Sequence, residues 1–151
     1  MIKLPTQIAE QFDILQDEII PVEPGEVNNL LLELKESIAK GTCVFQPREK
    51  NNELEIKYAI NEEKKLEILK NLTGYDFKVK KKDTSNGARD RKKKGFPDEQ
   101  VYIFILKQIL LVRNPLPCEM DEKEVKLYIK INNRTIPRKI IIIISFHEAL
   151  K

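Results

Sequence analysis

The spacing of apolar side chains divides the chain near residue 75. Before that point apolar residues recur three and four positions apart; after it they come in short, dense runs. In TQIAEQFDILQDE (6–18), Ile8, Phe12 and Leu15 fall at helical spacing, and Thr6 after Pro5 is placed to cap the first turn. That helix is expected to end before Pro21, with PVEPGE as a linker. A second helix is predicted over Glu26 to Lys40, with Leu30, Leu31, Leu34 and Ile38 as its stripe and Gly41 as its C-terminal cap. TCVFQ (42–46) reads as a short extended segment closed by Pro47, and 48–58 has mixed helical character. A third clear helix starts at the cap Asn61, carries Glu62 and Glu63 in its first turn, buries Leu66, Leu69 and Leu72, and stops by Gly74.

The second half reads as strands. Tyr75 to Lys82 begins one and runs into 83–98 (DTSNGARDRKKKGFPD), which has no apolar periodicity and is expected to be a mobile loop. QVYIFILK (100–107), VKLYIKIN (125–132) and KIIIIISF (139–146) follow. The isoleucines from Ile140 to Ile144 do not alternate with polar residues, so that strand is expected to be central and covered on both faces. Helices first and a sheet afterwards predict an α+β domain, with the helices packed on one face. A 1–25 helical extension would precede a domain spanning 26–151.

Length fits that single domain: 151 residues bury a core without disulfide or metal staples. The charged share, 34%, is high, but 41% hydrophobic residues is too much for wholesale disorder. Net charge is only +3, yet it is unevenly placed. Residues 1–37 hold two basic and eight acidic residues, a net of −6, while 78–94 hold nine basic and two acidic, a net of +7. A basic middle points to a polyanion partner. Cys43, Cys118 and His147 are too few for a Cys/His zinc site, and two cysteines make no disulfide framework. No Gly-rich phosphate loop, nucleophile elbow or acidic metal cluster is present. The start, MIKLPTQIAEQFD, lacks the apolar stretch of a signal peptide, and no apolar run approaches a bilayer span. The expectation is a cytoplasmic protein with no metal, no cofactor and no membrane contact.

Strand alternation suggests where chemistry sits. Lys126, Tyr128 and Lys130 share one face of their strand. In the last strand Ser145 and His147 share a face with Ile143, while Phe146 points the other way. If these strands pair, a Tyr, two Lys and a His converge at one end of the sheet; Gln100 and Tyr102 share a face of a third strand. A cluster of this kind suits cleavage of a phosphodiester by its own ribose 2′-OH. A base removes the hydroxyl proton, a cation stabilises the phosphorane charge, and an acid protonates the leaving 5′-oxygen. Histidine titrates in the right range, and a lysine does so where burial or like charge lowers its pKa. The plainer readings are a solvated or capping His147, an ordinary Lys/apolar alternation, and a solvated basic loop.

The segment LYIKINNRTIPRKIIIIISFHEA (127–149) resembles the end of the MqsR-like mRNA interferase toxins: a Tyr-x-Lys strand, a turn, and a last strand ending in Ser-Phe, a basic residue and Glu. ILKNLTGYDF (68–77), EQVYIF (99–104) and GTCVFQPREKN (41–51) are similar to further segments of that family, so the resemblance spans about residues 28–149. It departs from the family in lacking the Trp before the middle strand and in its long 83–98 and 113–124 segments.

The resemblance implies a RelE-like microbial ribonuclease fold with a small curved antiparallel sheet. It also implies a metal-independent endoribonuclease, the toxin of a bacterial toxin–antitoxin pair. Its partners would be mRNA, a cognate antitoxin and, for some relatives, the ribosome. The family's Tyr falls on Tyr128, its active-site Lys on Lys78 or Lys80, its Gln near Gln100, and the basic position of the last strand on His147. Lys130 joins Tyr128 in phosphate and proton handling. Arg89, Arg91, Lys92, Lys93 and Lys94 would hold the RNA backbone without reading its sequence. The alternative is a non-catalytic RNA-binding or antitoxin-like module using the same basic segment.

Overall fold

The computed structural model describes residues 19–113, 121–135 and 138–149. In chain order the elements are β1 (Ile19–Ile20), α1 (Glu26–Lys40), β2 (Cys43–Phe45), α2 (Glu49–Lys57), α3 (Glu62–Lys70), a 3-10 turn (Gly74–Asp76), β3 (Phe77–Lys82), α4 (Asn86–Lys93), β4 (Gln100–Leu111), β5 (Glu122–Arg134) and β6 (Ile140–Glu148). The helix expected over 6–18 and Cys118 lie outside the described residues. β1 falls within the 1–25 segment and pairs with β3, so the end of that segment is part of the sheet.

The result is α+β: four helices, mostly N-terminal, on an open six-stranded sheet of order β1-β3-β4-β5-β6-β2. Every pairing is antiparallel except β2 with β6, so the sheet is mixed. The parallel pair arises because α1 carries the chain back across the sheet from β1 at one edge to β2 at the other.

Local chemistry explains most boundaries. α1 ends at Gly41, which adopts φ 73° and donates its N–H to the Ile38 carbonyl, a conformation that favours glycine. Asn61 caps α3 by accepting the Lys64 N–H. Gly74 does not stop that helix; it opens the 3-10 turn, capped by reciprocal Thr73 and Asp76 bonds.

One face of the sheet carries the core. Leu30, Leu31 and Leu34 of α1, Leu54 of α2, and Ile68 and Leu69 of α3 pack on Phe104, Leu127, Ile129, Ile131, Ile143 and Phe146. Two charged groups are buried beneath the helices with partners. Lys80 lies 2.6 Å from Glu26, which also accepts the Tyr102 hydroxyl at 2.6 Å. Lys65 lies 2.6 Å from Glu55, with its ammonium over the rings of Phe45 and Phe146.

Three expectations are corrected. The 83–98 segment is not a loop throughout, because α4 occupies its middle. Ser85 caps it by accepting the Ala88 N–H, basic residues fill its last turn, and Ala88 is its one buried residue. A helix with a single apolar contact leaves no periodicity to read. The helices also leave one face of β6 uncovered: it lies between β5 and β2, but Ile140 and Ile142 are half-buried on the other face. Finally, the pairing of β6 with β5 shifts between Lys130 and Ile131, which oppose Ser145 and Ile143 respectively. This bulge around Ile144 puts Ile143 on the core face with Phe146, opposite Ser145 and His147.

Candidate active site on the open face

The face away from the helices is read from the cross-strand pairs, since residues directly opposite point the same way. Tyr128 opposes His147 and Ile105; Lys130 opposes Ser145 and Ile103; Asn132 opposes Ile142 and Val101. Val79 and Lys81 continue this face onto β3. Tyr128 packs on an apolar patch of Ile19, Val79 and Ile103, and its ring stacks on His147, with centroids 5.0 Å apart and planes 15° off parallel. Tyr128, Lys130 and His147 thus share this face with Ser145, as alternation predicts; the second lysine expected with them, Lys126, is exposed opposite Lys107 and does not line the neighbouring cleft.

Beside this cluster lies a cleft of about 430 Å³, within the size range of ligand sites. Val101, Ile142 and Ile144 give it an apolar floor, and Lys130, Lys81, Arg48, Asp83, Ser85 and Arg91 also line it. The isoleucines that broke the alternation in β6 thus serve both faces. Ile141 and Ile143 fill the core, and Ile142 and Ile144 floor the cleft.

One carboxylate ties Arg91, Asn132 and Arg134 together. Glu99 accepts from Arg91 at two points, from Asn132 at 2.9 Å and from Arg134 at 3.1 Å. Burial works to raise the Glu99 pKa, but these donors outweigh it and hold the group below the ordinary carboxylate value. The same contacts raise the Arg91 guanidinium. They fasten α4 to the sheet.

Electrostatics single out Lys130. It is half-buried, and burial pushes its pKa down to about 8, helped by the Lys81 and Arg48 charges and opposed by Asp83. His147 is lowered from its ordinary value, first by burial and then by Lys50, Arg48 and Lys130, against a raising contact with the Glu148 carbonyl. That contact, 2.9 Å from Nδ1 to the carbonyl oxygen, fixes the tautomer. A carbonyl only accepts, so Nδ1 carries the proton and Nε2 presents a lone pair. Burial pushes the Tyr128 phenol up to about 12, with Arg48 acting the other way, so Tyr128 is a neutral donor across the physiological range.

The other expected site residues are scattered. Lys80 is under the helices with Glu26, on the opposite face. Lys78 is exposed on β3 at an irregularity in the pairing and does not line the cleft. Gln100 is exposed at the start of β4 and shares the face of Tyr102, away from Tyr128 and Lys130. Of the basic run, Arg91 lines the cleft but is paired to Glu99, and Lys92 pairs with Asp98 at 2.7 Å. Arg89, Lys93 and Lys94 are exposed on or just after α4.

Three cations near the cluster were not anticipated. Lys81 follows from the alternation that buries Val79, two residues earlier on the same face. Arg48 and Lys50 come from a segment remote in sequence. Arg48 donates to Ser145 Oγ at 3.0 Å, and only tertiary folding brings it there. Among the described residues, no three Cys, His, Asp or Glu side chains gather as a metal site would require, and no helix is long and apolar enough to cross a membrane. No family model, curated protein or solved structure matches this chain.

Proposed function

We propose that the protein is a metal-independent endoribonuclease of the MqsR/RelE-like toxin kind. In this reading the domain is a RelE-like fold, acts in the cytoplasm on mRNA, and is silenced by a cognate antitoxin. The observation that carries it is the pairing of a neutral His147, with Nε2 bare, and a Lys130 titrating near 8 on one strand face, beside a cleft with cationic groups.

The two groups divide the proton work. His147 Nε2 takes the proton of the ribose 2′-OH. The 2′-oxygen attacks phosphorus and forms a 2′,3′-cyclic phosphate as the P–O5′ bond breaks. Lys130 is mostly protonated at neutral pH and gives its proton to the departing 5′-oxygen. An acid and a base straddling neutrality is the arrangement such chemistry needs. Tyr128 holds the imidazole plane by stacking and donates its hydroxyl to substrate. Exposed Arg89, Lys93 and Lys94 steer the RNA backbone.

The test is incubation of purified protein with RNA in EDTA, with products resolved on a gel. Cleavage that survives EDTA and ends in a 2′,3′-cyclic phosphate is the expected result. Salt-sensitive RNA binding without cleavage would replace this reading by the non-catalytic one. Expression in a bacterium should arrest growth, and His147→Ala or Lys130→Met should relieve it.

A further inference from the structure

We propose that Arg48 is a further catalytic residue, the group that binds the non-bridging phosphoryl oxygens of the scissile phosphodiester. This rests on the ribonuclease reading above and deepens it.

Arg48 stands just before α2 in extended backbone, φ −149° and ψ 148°. It is exposed at the cleft and has one hydrogen bond among the described residues, to Ser145 Oγ. Ser145 is 1% exposed and lies directly across from Lys130. The bond therefore fixes the guanidinium beside the proposed acid. Arg48 also acts on Lys130, His147 and Tyr128 through its charge. A guanidinium has five N–H donors in a planar fork. With one given to Ser145, the rest remain for a phosphoryl group, which guanidinium matches bidentately.

The other arginines of the cleft are differently employed: Arg91 and Arg134 are both held by Glu99. Lys130 has a proton to give up, and on losing it becomes neutral just as charge builds at the leaving oxygen. A group that keeps its charge throughout is required, and arginine does.

The position of Arg48 is built. β2 ends at Phe45, so β6 beyond Ile143 has no strand on that side. Asn51 takes the strand's place: its Nδ2 donates to the Gln46 and Ile144 carbonyls at 3.1 and 3.0 Å, and its Oδ1 accepts the Phe146 N–H at 2.9 Å. This clamp docks the first turn of α2 against the bulge of β6 and directs Arg48 onto the open face.

The experiment compares wild type, Arg48→Ala, Arg48→Lys and Ser145→Ala in single-turnover cleavage of an RNA oligonucleotide. Circular dichroism of each variant checks folding. Arg48→Ala should lower the cleavage rate by about 10²–10³-fold, the range for removing one donor to a developing oxyanion. Arg48→Lys should recover part of it, and Ser145→Ala should lose roughly tenfold or less. A folded Arg48→Ala protein that cleaves within about threefold of wild type would overturn the assignment while leaving the ribonuclease reading intact. Titration of the wild type with inorganic phosphate, followed by NMR of the arginine Nε–H groups, tests Arg48 independently of activity. A shift of the Arg48 signal, lost in Arg48→Ala, is expected even if no RNA is cut. A silent Arg48 signal at saturating phosphate would count against it.

Discussion

Lys130 should destabilise the protein it serves. Its ammonium sits half-buried among Lys81, Arg48 and Lys50, and its pKa falls from 10.5 to about 8. The neutral form is thus favoured in the folded chain, while the unfolded chain holds the proton up to the ordinary value. Below pH 8 both states are charged, and folding carries the full penalty. As pH rises from 8 to 10.5 the unfolded state binds more protons than the folded one, so stability rises with pH and the penalty disappears. The full difference corresponds to about 3.5 kcal/mol at roughly 1.4 kcal/mol per tenfold. Solvent reaching the half-buried group screens this to about 2 kcal/mol. Lys130→Met keeps much of the apolar stem and removes the charge. Urea unfolding of the two proteins at pH 7 and pH 10.5 is the assay, and the difference between them isolates this one group. The Met variant should be more stable by about 2 kcal/mol at pH 7, with most of the gain gone at pH 10.5. Equal stabilities at pH 7, or a gain unchanged at pH 10.5, would refute the reasoning. The same variant should be inactive, a gain in stability bought with function.

Three further outcomes follow from the geometry. Single-turnover cleavage should be bell-shaped in pH, rising as His147 loses its proton below its ordinary 6.5 and falling above about 8 as Lys130 loses its own. Lys130→Arg should remove the alkaline limb, and an alkaline limb retained in that variant would assign it to another group. Asn51→Ala should cost about 2–4 kcal/mol in urea unfolding, because it strands a buried N–H and a buried carbonyl; a loss below about 1 kcal/mol would show that β6 finds other partners. Glu99→Gln should loosen α4, seen as faster tryptic cleavage at Arg91 to Lys94. Because the Glu99 pKa is lowered on folding, its contribution is present above the usual 4.5 and lost as pH falls through the lowered value. The variant should therefore show a flatter decline in stability below pH 4.5, and an unchanged acid limb would remove Glu99 from that role.

Periodicity found what periodicity governs. α1 matches the expected Glu26 to Lys40 because four apolar residues and a glycine cap define it locally. Tyr128 and His147 meet because alternation fixes facing, and antiparallel pairing of β5 with β6 supplied the rest. What was illegible depended on longer-range facts. α4 is held by Ser85 and by charge pairs to Glu99 and Asp98, which leave no apolar pattern. The bulge at Ile144 cannot be seen in a run of identical isoleucines, yet it decides that Ile143 faces the core. A run of lysines on β3 hides which of them faces the cleft: Lys80 shares the face of Tyr102, and Lys81 shares that of Val101 and Asn132. Arg48 was out of reach altogether, since 97 residues separate it from Ser145.

The two faces of the sheet treat charge in opposite ways, and this favours a working site over a solvated surface. Under the helices each buried lysine has its carboxylate: Lys80 has Glu26, and Lys65 has Glu55. Those charges are neutralised and can be explained by packing alone. On the open face burial and the charges of Lys81, Arg48 and Lys50 lower the Lys130 pKa, against Asp83. Here Tyr128 and His147 stack beside the lysine, and Ser145 fixes the arginine next to it. A half-buried lysine held beside like charges is a local inconsistency, and such inconsistency concentrates at sites kept for binding or chemistry. On the ribonuclease reading proposed above, a phosphodiester brings negative charge to Lys130, so the same repulsion that weakens the free protein becomes attraction for substrate.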